Sequence, residues 1–335
     1  MVFKNEKFFS FLRKGRNWER NVNGIRMWEP SYLRLYERGE LDERIERLYK
    51  TLESCELCPR KCRMNRLEGE KGVCRSGKDL MVSSYNPHFG EEDPLVGVRG
   101  SGTIFLTNCN LLCVYCQNYD ISHQGAGDED TLTRAAGMMI ELQNRGCHNI
   151  NFVTPTHFAP QLVKATKLAI ERGLKLPLVW NCSGYENVEI IKLLDGIVDI
   201  YMPDIKYSQS EPARKYSNAP DYFDRCRESV REMHRQVGDL KLDEKGIAWR
   251  GLLIRHLVLP NDLSGSEGVL KFITEEISIN SYVNVMSQYR AAGKAHQYKE
   301  LSRYLTREEF DRAIHIATRL GLTHGLEGKH LLRFR

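Results

Sequence analysis

The chain has 335 residues, 41% hydrophobic and 28% charged, with a formal net charge of +5 and ten cysteines. That length exceeds a typical domain, although one α/β barrel can absorb most of it, and the apolar share suffices for a substantial core. The mild positive charge does not point to nucleic acid, and no apolar run approaches the ~20 residues of a membrane span, so neither is expected as a partner.

The opening Met1-Val2-Phe3-Lys4-Asn5-Glu6-Lys7 is basic with no apolar stretch behind it, so no signal peptide is expected. Lys4, Lys7, Arg13, Lys14, Arg16 and Arg20 outweigh Glu6 and Glu19 there and read as a solvated basic face. From Pro30 to Leu52 apolar residues recur at helical spacing (Leu33, Tyr36, Leu41, Ile45, Leu48, Leu52), and Gly39 separates two helices. Residues 1–54 therefore form a helical extension. Residues 55–99 form a cysteine-rich metal-binding segment with Gly- and Pro-rich connections, and residues 326–335 a C-terminal tail.

Over residues 100–325 strand-like and helix-like segments alternate. Strands are expected at Gly102–Thr107, Asn149–Val153, Leu176–Trp180, Val198–Met202, Gly251–Leu259 and Ser281–Met286, each apolar on both faces as buried parallel strands are. Helices are expected at Thr131–Asn144, Phe158–Glu171, Asn187–Leu194, Asp221–Gln236, Gly265–Glu276 and Thr306–Leu320, the last opened by a capping box from Thr306 to Glu309. Such repeated units argue for a parallel sheet covered by helices, with its site at the C-terminal ends of the strands.

Seven of the ten cysteines fall into two groups, which without a signal peptide means metal in a reducing cytoplasm rather than disulfides. Cys109, Cys113 and Cys116 follow the first strand. Three soft thiolates without a fourth suit a four-iron cluster with one iron open to an outside molecule, whereas a closed zinc site needs four ligands. Cys55, Cys58, Cys62 and Cys74 supply four thiolates and no open position, which fits either a second [4Fe–4S] cluster or structural Zn. Arg60, Lys61, Arg63 and Arg66 would offset the negative charge of that set. Cys147 and Cys226 read as small buried hydrophobes, Cys182 stands at a strand end, His256 reads as a core histidine and His157 as a site candidate.

The spacing CxxxCxxC with Tyr115 before the last cysteine resembles the signature of radical S-adenosylmethionine (SAM) enzymes. Gly100–Leu106, Gln117-Asn118, Val153–His157, Pro203–Lys206 and Met286–Tyr289 extend the resemblance to the pyruvate formate-lyase activating enzyme group, and within it to the branch labelled PflX. The resemblance implies an incomplete (β/α)6 TIM-like barrel with the N-terminal helical and cysteine-rich extension attached. It implies an activating-enzyme-like oxidoreductase that reductively cleaves SAM at a [4Fe–4S] cluster and abstracts hydrogen with the resulting radical. The substrate would be a glycyl residue of a protein partner, or alternatively a small molecule or other macromolecule. A ferredoxin or flavodoxin would supply electrons. Tyr115, Thr154, Asn181, Ser183, Asp204, Lys206 and Gln288 are carried over as SAM-contacting positions, with Tyr115 bordering the adenine and Lys206 pairing with the methionyl carboxylate. Two departures stand out: Pro155-Thr156-His157 occupies the place of the usual Gly-Gly-Glu, and Arg290 that of a His beside the ribose. A non-enzymatic zinc protein is the reading from another class.

Overall fold

The computed structural model describes residues 19–22 and 25–326. Strands β1 (Glu19–Val22) and β2 (Ile25–Trp28) pair antiparallel and precede helices α1 (Tyr32–Glu37) and α2 (Glu40–Lys50). The extension, read from sequence as helical, therefore includes a hairpin; four-residue strands are too short to impose a readable period. Gly39 adopts a left-handed φ of 72° between α1 and α2, the break expected there. Leu41, Ile45 and Leu48 put three apolar side chains on one buried face of α2, each worth roughly 2 kcal/mol on burial.

Strand β3 (Leu80–His88), the short helix α3 (Asp93–Val96), β4 (Ser101–Leu106) and β5 (Asp128–Asp130) follow. Alternation then sets in: α4 (Leu132–Asn144), β6 (Ile150–Val153), α5 (Ala159–Ile170), β7 (Leu178–Cys182), α6 (Val188–Leu193) and β8 (Ile200–Pro203). Helices α7 (Ser210–Ser217) and α8 (Tyr222–Val237), strands β9 (Lys241–Leu242) and β10 (Ala248–Leu257), α9 (Ser266–Phe272), β11 (Tyr282–Met286) and α10 (Arg307–Arg319) complete the chain. The capping box at Thr306 and Glu309 is formed.

The elements build an α/β fold around one mixed, open sheet in the order β11-β10-β8-β7-β6-β4-β3-β5, with β9 pairing β10. Strands β4, β6, β7, β8, β10 and β11 run parallel to one another, as the sequence alternation predicted. The correction concerns residues 55–99, expected to be loop and connections: β3 lies inside them and joins the sheet antiparallel to β4 and β5. Only Leu80 and Val82 of β3 are buried, and Pro87 and polar residues complete it, so it lacks the apolar signal of the inner strands.

Alternation along the parallel strands sorts the side chains. Trp180, Tyr201, Leu252 and Ile254 join the main core with the helices, whereas Val179, Ile200, Met202 and Leu253 form a second cluster on the opposite face. Leu95 of α3 is fully buried in that second cluster, and Asn149 Nδ2 donates to its carbonyl at 2.9 Å. Because His88 pairs with Ser101 at the start of β4, the segment from Phe89 to Val96 lies at the N-terminal ends of the parallel strands. The extension is latched to the same end: the backbone N–H groups of Ser31 and Leu178 donate to the buried Asp199 carboxylate at 3.0 and 3.2 Å. Arg250 Nη1 adds a bond to Ser31 Oγ at 2.6 Å.

Candidate functional site

Because the six strands are parallel, the loops after them share one edge. The Cys109–Cys116 loop leaves β4 and is held from several sides. The N–H of Val114 donates to the Tyr216 carbonyl at the end of α7, and the N–H of Lys294 donates to the Val114 carbonyl. Asn108 and Leu112 take left-handed φ values of 66° and 57°, conformations that cost non-glycine residues energy and here turn the chain within the loop. Each thiol accepts a hydrogen bond: Cys109 from the Leu111 N–H at 3.4 Å, Cys113 from the Ser217 hydroxyl at 3.0 Å and Cys116 from the Ser122 hydroxyl at 3.2 Å. Burial, reinforced by Cys113 and Cys116, pushes the Cys109 thiol up to about 12. This donor set fits an iron–sulfur cluster: three thiols act on one another, carry donors to sulfur and have no fourth ligand in their loop. Among the described residues no three Cys, His, Asp or Glu side chains converge as a single metal ion would require.

Beside the loop lies a half-buried chain of charges. Lys206 Nζ meets Asp204 Oδ2 at 2.6 Å, and Arg255 Nε meets Asp204 Oδ1 at 2.7 Å. Arg255 reaches further, donating from Nη2 to Asn181 Oδ1 at 2.7 Å and meeting Glu91 at 3.3 Å. Burial opposes ionisation of Asp204, but Arg255 and Lys206 outweigh it and hold its carboxyl below the usual range. Burial also lifts Glu91 to about 7, against the pull of Arg255. Lys206 and Cys113 act electrostatically on each other, which places the ammonium beside the loop. Sequence reading missed Arg255 and Glu91, although a charged residue inside the apolar run Leu252–Leu257 was a signal.

The other expected positions divide. Gln117 Nε2 donates to the Gln288 carbonyl at 3.0 Å, tying the β11 loop to the cysteine loop, while the Gln288 side chain is exposed and approaches Met286 Sδ at 3.4 Å. Tyr115 is buried, edge-on to Tyr207 and Tyr289. Thr154 ends β6 with φ 59° and donates its N–H to the Asn181 carbonyl at 2.8 Å. The Ser183 hydroxyl accepts the Tyr185 N–H at 3.4 Å in a local turn. Arg290 is exposed. His256 is a core histidine as expected, bonded to the Ile205 carbonyl and Ser266, and Cys147, Cys182 and Cys226 are buried. Asn261, at the same edge, is committed to Glu309 and the Glu300 carbonyl.

His157 lies elsewhere. It is buried, its Nε2–H donates to the Thr107 carbonyl at 2.8 Å, and burial lowers its pKa to about 3, so the ring is neutral. It lines a cavity with Cys55, Cys58, Cys62 and Cys74, so the four cysteines of the second group share one enclosed space.

Residues 103–241 match the family model described as the radical SAM superfamily, a span that includes the cysteine loop, Thr154–His157, Asn181, Asp204 and Lys206. The chain is similar to the uncharacterized protein MJ0674 of Methanocaldococcus jannaschii, 34% identical over 292 residues, or 84% of this chain and 79% of the relative. It is also similar to MJ0808 of the same organism, 23% identical and covering 67% of this chain and 66% of that one. Among solved structures it is similar to a radical SAM methyltransferase from Sphaerobacter thermophilus (TM-score 0.47, 14% identity, 66% of this chain and 64% of that chain). It is similar too to methylornithine synthase PylB (TM-score 0.41, 15% identity, 65% of this chain and 61% of that chain). The chain thus spans less than two thirds of either solved protein. With the family model lying over the three-cysteine loop and the strand ends that surround it, residues 103–241 carry a radical SAM superfamily domain, and the chain as a whole shares a family with MJ0674.

Proposed function

We propose that this chain is an activating-enzyme-like radical SAM oxidoreductase on an incomplete (β/α)6 barrel, abstracting hydrogen from a glycyl residue of a partner protein. The observation that carries the reading is the loop of three thiols, each with one donor to sulfur, set beside the half-buried Lys206–Asp204–Arg255 chain. Cys109, Cys113 and Cys116 would hold a four-iron cluster, which would supply the electron for reductive cleavage of SAM.

The chain's own residues prepare that place. Lys206 offers a fixed cation beside Cys113 for the methionyl carboxylate, and Asp204 holds it there. Asn181, oriented by Arg255, offers its amide at the end of β7. Thr154 supplies a carbonyl where the usual Gly-Gly-Glu is absent, while Tyr115, Ser183 and Gln288 complete the edge as the adenine and ribose side.

A small polar substrate is the second reading, favoured by the interior face of the sheet. Asn284 Oδ1 and Glu92 Oε2 are buried there without hydrogen-bond partners, a cost that a polar ligand would relieve. The deciding experiment incubates anaerobically reconstituted protein with SAM and dithionite and measures 5′-deoxyadenosine. Formation in the wild type and its loss in Cys113→Ala support the proposal; undiminished formation in Cys113→Ala overturns it. Adding a glycyl radical enzyme and recording its radical by EPR then separates the two substrate readings.

A further inference from the structure

Cys55, Cys58 and Cys74 are buried and Cys62 is half-buried, yet all four line the same cavity, closed by Leu57, Arg60, Arg66, Gly72 and His157. The backbone is bent to produce this. Lys61, Arg63 and Arg75, each adjacent to one of these cysteines, take left-handed φ values of 41°, 56° and 58°. A Cβ at Gly72 would lie 2.7 Å from Cys62 Sγ, so only glycine lets the second half of the loop approach. The Cys55 N–H donates to the Met64 carbonyl and the Arg63 N–H to the Cys55 carbonyl, closing the knuckle. Sulfur receives donors here also, from the Val73 N–H to Cys62 at 3.4 Å and from Arg66 Nη1 to Cys55 at 3.9 Å.

Arg66 brings a buried positive charge to the cavity wall, where deprotonated sulfur would offset it. Arg66 is fully buried, and its guanidinium donates to the carbonyls of Gly77 and His157 and to Cys55. Arg60 donates to the carbonyls of Asn110, Leu111, Ser217 and Asn218 and stacks over Tyr185. Neither guanidinium pairs with a carboxylate among the described residues, and for Arg66, the fully buried one, a cation without a counter-charge is costly. Four thiolates around a metal supply that counter-charge; four neutral thiols do not.

One feature favours iron–sulfur over zinc: Arg60 fastens this loop directly onto the other cysteine loop. Its bonds to Asn110 and Leu111, at 3.1 and 3.2 Å, fall between Cys109 and Cys113. Its 2.7 Å bond to the Ser217 carbonyl grips the residue whose hydroxyl donates to Cys113 Sγ. A second bridge runs from the cavity through His157 to the Thr107 carbonyl, two residues before Cys109. A purely structural zinc knuckle has no need of either connection.

We infer that Cys55, Cys58, Cys62 and Cys74 hold a second [4Fe–4S] cluster, and that Arg60 straps it to the Cys109–Cys116 loop as the entry point for electrons. One electron passes inward from a low-potential flavin or iron–sulfur protein; no bond forms or breaks and no proton moves. Cys62, the most exposed of the four, marks the outer side, and exposed Met64 and Val73 lie beside it. Arg60 acts as a positioning residue that fixes the two loops relative to each other.

The test uses the full chain, purified and reconstituted without oxygen. Iron and sulfide should be about eight per chain in the wild type and about four in Cys58→Ala/Cys74→Ala. Four irons with one zinc in the wild type, or equal iron in both proteins, overturns the assignment. Should the double variant not fold, Cys62→Ser serves instead: altered EPR or Mössbauer parameters of one of two clusters support the site, and an unchanged spectrum overturns it. Freeze-quenched EPR then follows reduction of the SAM-responsive cluster by a reduced flavodoxin or by dithionite. Arg60→Gln should keep its iron and slow reduction by flavodoxin by an order of magnitude or more; an unchanged rate overturns the strap. Because 5′-deoxyadenosine formation with dithionite depends on the other loop, it reports failure of the proposed reaction separately.

Discussion

At the scale of single residues, Lys206 and Asp204 were legible as a pair, because two residues apart at a strand end is a local pattern. Arg255 was not, because its partners Asp204, Asn181 and Glu91 lie 51, 74 and 164 residues away and meet it only when the sheet assembles. The long-range partner also shapes the outcome of substitution. In Lys206→Ala, Asp204 keeps Arg255 and the fold stands, so iron content should be unchanged. SAM affinity, read by anaerobic calorimetry, should fall about tenfold or more with loss of one charge-assisted contact. Unchanged affinity removes Lys206 from the SAM site. Glu186 gives a prediction in pH. It is buried, accepts a hydrogen bond from the Thr156 hydroxyl at 2.6 Å, and burial lifts it from 4.5 to about 8. The folded chain therefore holds a proton that the unfolded chain releases between these two values. Stability should fall as pH rises from 4.5 to about 8, by at most about 1.4 kcal/mol per pH unit, and level off above. Glu186→Gln should flatten that slope in thermal melts; a slope identical to wild type contradicts the assignment.

At the scale of elements, the six inner strands were readable because burial on both faces demands unbroken apolar runs. Their helices were readable because one face alone is apolar. Strand β3 escaped because it carries few buried residues, and α7 escaped because eight residues give barely two turns of periodicity. Capping chemistry is local and was legible: the Thr306 hydroxyl accepts the Glu309 N–H at 3.3 Å, and the Glu309 carboxylate accepts the Thr306 N–H at 3.0 Å. Thr306→Ala should lower the unfolding free energy by about 1 kcal/mol. Glu309 also binds Arg303 and the Asn261 N–H, so Glu309→Ala should cost more than Thr306→Ala in the same denaturant titration.

At the scale of the whole molecule, the two cysteine groups were legible as groups, while the Arg60 bonds that join their loops were not. The basic run Arg60, Lys61, Arg63 and Arg66 was read as charge compensation along the chain. Only the fold turns Arg60 and Arg66 inward and leaves Lys61 and Arg63 exposed beside Glu56. The segment from Phe89 to Val96 has a consequence of the same size. Leu95 seats among Val179, Ile200, Met202 and Leu253, while Glu91 and Glu92 reach Arg255 and Asn284. The chain thereby stoppers one end of its own interior with side chains that cannot leave without abandoning buried partners. Among the described residues β11 and β5 do not pair, so approach to that face is left to the cysteine-loop end and to the gap between these two edge strands.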